Sequence, residues 1–339
     1  MRAPLDPDAT VVLRRQPAPG RRRGRLLAVL AGLALLAGSG LAALLLWQRG
    51  EVPPPPVAQA PAEALPAARV ASPLAILANS AETLTVFRLD VNPRIFVLDF
   101  PTLTQQGLML NRVAALVEKA GLPRDRVLDD DALATAIASR GETLETFYFG
   151  HNYRARDLVR FFGLAAAQGV ALNAEERRLA ALLVAVGVAR RGGGEGLVLA
   201  EDAAFVTVPG LQPADPARGV TFAIDAGVRE AILRHELSHG EFFTNPAFAA
   251  HVAAWWRERL SPHERARIRR FLEEGGYDPS LEEVMMNEAM VYLIHTPDPR
   301  FFSPEAAGLD VETVARLRAS FAEGLPKSWL DSIAWPSGR

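Results

Sequence analysis

The sequence predicts an α+β protein, mainly helical with a small β-sheet, preceded by one transmembrane helix. Three observations carry this. A 22-residue stretch near the N-terminus has no charge; segments with the composition of strands cluster at 83–100 and 196–224; and beyond residue 220 the chain reads as helices with well-marked ends. With 339 residues, 49% of them hydrophobic, there is ample material for one large core or two smaller ones.

The first 25 residues form a basic tail with seven arginines against Asp6 and Asp8. Residues 26–47, "LLAVLAGLALLAGSGLAALLLW", follow without a charged side chain. At about 1.5 Å of rise each, such a run spans a hydrocarbon core of about 30 Å, as a transmembrane helix or signal anchor. Arginines crowd its N-terminal flank, so the positive-inside rule keeps the tail in the cytoplasm and exports everything after Trp47. The small residues of "AGSGLAA" allow a cleaved signal peptide as the rival reading, and the arginine pairs allow twin-arginine export, but the run exceeds the usual apolar length of a signal peptide. Residues 48–73 contain seven prolines and seven alanines. They read as a semi-rigid spacer that holds a domain off the membrane.

Residues 74–339 carry 28 basic and 35 acidic side chains, a net charge of −7, which disfavours nucleic acid as a partner. The chain has no cysteine. That excludes a disulfide framework, a thiolate metal site and a lipidated N-terminal cysteine, so any metal must be held by histidine and carboxylate.

Residues 74–200 read as a mixed α/β region and 201–339 as a helical region carrying the candidate site, with 74–339 as a single domain also allowed. "TLTVFRL" (83–89) and "RIFVLDF" (94–100) have the branched and aromatic content of strands, and "NPR" turns between them, so a hairpin is expected near 83–99. Helical periodicity follows in 107–122, in 154–167 and in 174–191, the last stopped by the glycines at 192–194. Short strands are expected at "GLVLA" (196–200), "AFVTV" (204–208) and "GVTFAI" (219–224). "HNYRARD" (151–157) is polar and aromatic enough to line a cleft, or simply a loop and helix start. No internal repeat is evident.

After residue 220 the helix boundaries are explicit. Asp225 is placed to cap a helix through 243. Ser261, Pro262 and Glu264 make a capping box with proline at the first helical position, opening "PHERARIRRFLEE" (262–274). A second box, Ser280 with Glu283, is expected to open "LEEVMMNEAMVYLIH" (281–295), which stops before Pro297.

The first of these helices contains "RHELSHGEFF" (234–243). At 100° per residue, His235 and His239 lie 40° apart, so both imidazoles can reach one ion, and Glu236 stands to one side, where it can take a proton from water at that ion. Val228, Ala231, Ile232 and Phe242 share the histidine side, while Glu230, Arg234 and Glu241 form a polar stripe on the other. The histidines are therefore expected to face inward. A third ligand six residues after the second histidine is excluded, because Asn245 stands there. Glu288 is the alternative: residues 284–294 are apolar or aromatic apart from Asn287 and Glu288, and Glu288 shares its face with Leu281, Val284, Met285 and Tyr292. A carboxylate so placed is costly unless a positive partner meets it, and a zinc ion held by two histidines is such a partner. His251 and His263 read as structural or solvated.

"HELSH" (235–239) with "NEA" (287–289) resembles the gluzincin, thermolysin-like zinc metallopeptidases, over roughly residues 221–295. The resemblance implies that His235, His239 and Glu288 bind Zn2+ and that Glu236 is the general base. Glu241 stands where such motifs carry an apolar residue. Tyr292 stands where those enzymes carry an aspartate that orients a histidine. Tyr292 and His295, one and two turns after Glu288, are candidates for polarising a substrate carbonyl or for supporting a ligand.

These features together lead to the expectation of a membrane-anchored zinc peptidase, single-pass in the cytoplasmic membrane with its catalytic domain on the periplasmic or extracellular side. Its partner would be a peptide or protein substrate, cell-wall peptide included. The alternative is a non-catalytic envelope protein whose vestigial or structural metal site serves packing or partner binding. A purely structural zinc would require a fourth protein ligand in place of a base and an open position.

Overall fold

The computed structural model describes residues 65–192 and 196–337. The basic tail, the apolar run of 26–47 and most of the proline-rich segment lie outside the described residues. Among the described residues no helix is long and apolar enough to cross a membrane.

Strand β1 (Arg69–Ala71) lies inside the stretch read as a spacer and runs parallel to β2 (Thr85–Leu89), so the sheet begins earlier than the composition indicates. Between them Ser72 caps the short helix α1 (Pro73–Leu77). The expected hairpin forms, β2 pairing antiparallel with β3 (Ile95–Phe100). Helix α2 (Leu103–Val117), capped by Thr102, and α3 (Asp130–Ser139), capped by Asp129, lead to the three-residue strand β4 (Asn152–Arg154) and α4 (Ala155–Gln168).

Helix α5 (Ala174–Ala185) ends before the glycine run that was expected to stop it. Gly187 adopts φ 78°, a left-handed conformation that ends helices readily in glycine. Residues Ala189–Arg191 then become β5, paired with β6 (Leu197–Leu199) in a separate two-stranded sheet.

Strand β7 (Ala204–Pro209) enters the main sheet between β3 and β4, giving the order β1-β2-β3-β7-β4 with parallel and antiparallel pairs mixed. Every residue of β3 and β7 is buried, as strands covered on both faces require. Because β7 completes a sheet begun at residue 69, no domain boundary falls near residue 200. "GVTFAI" makes no strand: it contributes two isolated bridges, Asp215 with Val220 and Gln212 with Ile224, around a turn in which Gly219 takes φ 77°. The turn folds the chain back so tightly that only single pairs of residues meet.

The remaining helices are α6 (Ala226–Thr244), α7 (Pro246–Glu258), α8 (Pro262–Glu274), α9 (Glu282–Met290) and α10 (Val311–Ala322). Asp225 caps α6 as expected, accepting from the Val228 amide at 2.8 Å. Both halves of the Ser261–Glu264 box are present. The second box is not. The Ser280 hydroxyl donates to Asp278 instead, a local competition common for serine, and Glu283 turns to Arg154. Helix α9 therefore starts at Glu282 with no side-chain cap. It also does not run straight to residue 295: Val291–His295 form a π-turn, and Thr296 closes it by donating its hydroxyl to the Val291 carbonyl at 3.0 Å.

Two contacts seat α6 on the sheet. Arg229 is buried and donates to both oxygens of Asp99 on β3, at 2.9 and 2.8 Å, and to the carbonyls of Ile76 and Pro209. Removing one partner of such a buried pair typically costs about 3–5 kcal/mol. Further along, a Cβ added at Gly240 would lie 3.0 Å from the Ile95 side chain, so glycine at this position lets the helix lie close against β3.

Candidate metal centre

The inward-facing side of α6 delivers what its spacing promises. His235, His239 and Glu288 come together in the core, each offering one ligand atom, all within 4.8 Å of one another. His235 Nε2 lies 3.6 Å from Glu288 Oε2 and His239 Nε2 lies 3.4 Å from Glu288 Oε1. A small divalent ion with bonds of about 2.0–2.2 Å holds tetrahedral ligands about 3.3–3.6 Å apart, so these separations fit one. The polar atoms agree. His239 Nε2 and one oxygen of Glu288 are buried with no hydrogen-bond partner, an arrangement that a shared cation would satisfy.

Burial sets the electrostatics. It pushes the His235 imidazole down to about 3 and that of His239 to about 4, the latter against the opposing pull of Glu288. Both rings are therefore neutral near pH 7, with lone pairs available to a metal. Burial raises the Glu288 carboxyl, opposed by His239 and by a hydrogen bond from Tyr277.

The tautomer of His235 is also determined. Its Nδ1 lies 3.0 Å from the Thr296 hydroxyl, whose proton is already given to the Val291 carbonyl. Nδ1 must therefore be the donor, which leaves Nε2 unprotonated and pointing at Glu288. Nothing in the sequence singles out Thr296; the π-turn is what brings it beneath the ring.

Glu236 stays outside the ligand set, as its position on the helix predicts. Its Oε2 accepts from Asn152 Nδ2 at 3.1 Å, and its Oε1 fills the place where a Cβ at Gly150 would sit, 2.1 Å away. "HNYRARD" thus does line the site, through Asn152 on the edge strand β4. Burial raises the Glu236 carboxyl, and Glu288 adds to the effect.

A cavity of about 20 Å³ lies against His235 and Glu236, lined by Tyr148, Tyr277, Tyr292 and Phe301 among others. That volume and those polar groups suit a single water molecule. Three loops cover it with aromatic rings, Phe149 packing 5.1 Å from Phe222 and Phe222 packing 6.1 Å from Phe301.

Of the two candidates for supporting roles, the structure brings Tyr292 to the site, its ring edge-on to His235 at 4.8 Å. His295 does not line the cavity and packs against Phe321. His251 hydrogen-bonds the Phe321 carbonyl at 2.7 Å and plays no part in the cluster.

The polar stripe on the far side of α6 is buried as well. Glu241 accepts from Asn92, Asn245, Ser328 and Trp329, and Glu230 accepts from Ser337, so the C-terminal segment covers this face through hydrogen bonds. The stripe is simply polar in the sequence because all of these partners but Asn245 lie 87–149 residues away.

Comparison of the chain with protein-family models, with curated proteins and with solved structures yields no match.

Proposed function

We propose that the chain is a zinc-dependent hydrolase, a metallopeptidase of the gluzincin kind, anchored by its N-terminal apolar segment and acting outside the cytoplasmic membrane. The observation that carries this reading is a division of roles on one helix. His235 and His239 meet Glu288, while Glu236 stands apart from the ligand set and borders the cavity. Two neutral imidazoles and one carboxylate in a chain without cysteine suit zinc. The metal-for-packing alternative requires a fourth protein ligand, and among the described residues the cluster has three.

When bound, zinc supplies Lewis acidity, which polarises a carbonyl and brings the ionisation of water toward neutral pH. His235, oriented by Thr296, and His239 with Glu288 hold the ion. Glu236 takes a proton from the attacking water and later delivers it to the amide nitrogen as the C–N bond breaks. Asn152 keeps the carboxylate aimed at the cavity, and the aromatic cover keeps bulk water out. The substrate class is peptide amide, in proteins or in the cell wall.

Glu236→Gln tests this in the full-length chain. The variant is expected to bind as much zinc as the parent and to lose about 10²–10⁴ in turnover on any peptide the parent cuts, measured by mass spectrometry of a peptide library. Undiminished cleavage with zinc still bound removes Glu236 from the mechanism. A zinc-loaded parent that cuts nothing in the library favours the packing role.

A further inference from the structure

Three tyrosines border the cavity beside His235 and Glu236. Tyr277 is committed to hydrogen bonds with Glu288 and with Tyr292, which engages two of the three. Tyr148 is different. It is 7% exposed, and its hydroxyl is buried with no hydrogen-bond partner.

The ring that carries this hydroxyl is tightly held. Lys119 Nζ lies 4.3 Å from its centroid, and the rings of Phe147 and Tyr277 pack at 5.6 and 5.7 Å. Lys119 is itself fixed, donating to Glu142 Oε1 at 3.0 Å and to the Phe147 carbonyl at 2.9 Å. Gly276, at φ 96°, makes room for it, since a Cβ there would meet Nζ at 3.0 Å. A cation over the face of a phenol draws electron density from the ring and makes the O–H a better donor.

We propose that Tyr148 donates a hydrogen bond to the substrate's reacting carbonyl oxygen, which gains negative charge as the carbonyl is attacked, and that Lys119 and Glu142 hold its ring in position. A donor aimed at a developing oxyanion must keep its own proton, and burial holds the Tyr148 phenol well above its ordinary pKa. Such a donor also requires no rearrangement at the moment of reaction, because its ring is already clamped. The role falls to a residue in the loop before β4, neither on the motif helix nor at Tyr292 or His295. Its effect on turnover rests on the hydrolase reading; its contact with an anionic oxygen does not.

The test uses the full-length, zinc-loaded protein and Tyr148→Phe, with acetohydroxamate as a probe that carries an anionic oxygen to the metal. Calorimetric titration is expected to show binding weakened roughly 10- to 100-fold in the variant. Zinc content should be unchanged, and the thermal midpoint should be equal to the parent's or higher, because the lost hydroxyl has no partner in the protein. On a peptide the parent cleaves, kcat should fall about 10²–10³-fold with little change in KM. Equal binding by variant and parent, or no binding by the parent, overturns the assignment. Weakened binding in the variant, with neither protein cutting any peptide, supports Tyr148 as the oxyanion donor and removes the peptidase reading instead.

Discussion

His235 donates from Nδ1 to the hydroxyl of Thr296 across 3.0 Å, and Thr296 passes its own proton to the carbonyl of Val291. The nitrogen that faces Glu288 is thus left unprotonated by a threonine eight residues beyond that glutamate. Partners of this kind typically contribute about 10- to 100-fold in metal affinity. Thr296→Val should weaken zinc binding by that amount in a chelator competition, and Thr296→Ser should restore most of it. A valine variant with parental affinity would show that packing alone orients the ring.

Glu288 and His295 make opposite predictions. Glu288→Ala removes a buried ligand from between two imidazoles and should strip zinc from the full-length protein, read by elemental analysis after desalting. His295→Ala should leave most of the zinc bound, since His295 lies against Phe321 outside the cluster. Reversal of the two results would make His295 the ligand.

Glu118 supplies a pH dependence in the metal-free protein. Burial raises its carboxyl from 4.5 to about 8, with Glu288 adding to the rise and Lys119, Arg124 and Tyr153 opposing it. The folded state holds this proton more tightly than the unfolded chain. Its contribution is therefore complete below the unfolded pKa of 4.5 and is lost as pH rises through the folded value of about 8. Glu118→Gln cannot ionise, so its stability should fall less steeply over that window, by a difference of a few kcal/mol in denaturant melts. Parallel pH profiles for parent and variant would exclude this origin.

The arginine-rich flank of residues 26–47 predicts orientation. Protease added to intact spheroplasts should remove everything beyond the proline-rich segment, whereas full protection would place that part in the cytoplasm. A free periplasmic form would indicate cleavage of the N-terminal segment.

What was legible in the sequence was local. The spacing of His235 and His239, the Asp225 cap and the apolar run around Glu288 each occupy a few turns of one helix, and all three read correctly. The hairpin near 83–99 was equally plain. Partners distant in sequence were not: Asn152 reaches Glu236 across 84 residues and Trp329 reaches Glu241 across 88. Periodicity cannot report such pairs, so it shows Glu230, Arg234 and Glu241 only as a polar stripe and gives no sign of Tyr148 or Thr296. Two boundary errors came from a single residue or a small backbone change. Gly187 ended a helix that apolar spacing continued, and the π-turn at 291–295 shifted the register just where Thr296 was needed.

Gly240 stands directly after His239, and the side chain of Ile95 occupies the notch its missing Cβ leaves. The distance between helix and sheet and the placement of the His239 ring therefore share one tolerance. A side chain mounted this way is set by the core itself, unlike the ligands of small zinc domains whose chain stays unfolded until metal organises it. The same tightness means that a methyl group at position 240 would press on the Ile95 side chain, and any shift of α6 that relieved the pressure would carry His239 with it. For this chain the hydrophobic core is the ruler against which the His–His–Glu cluster is measured.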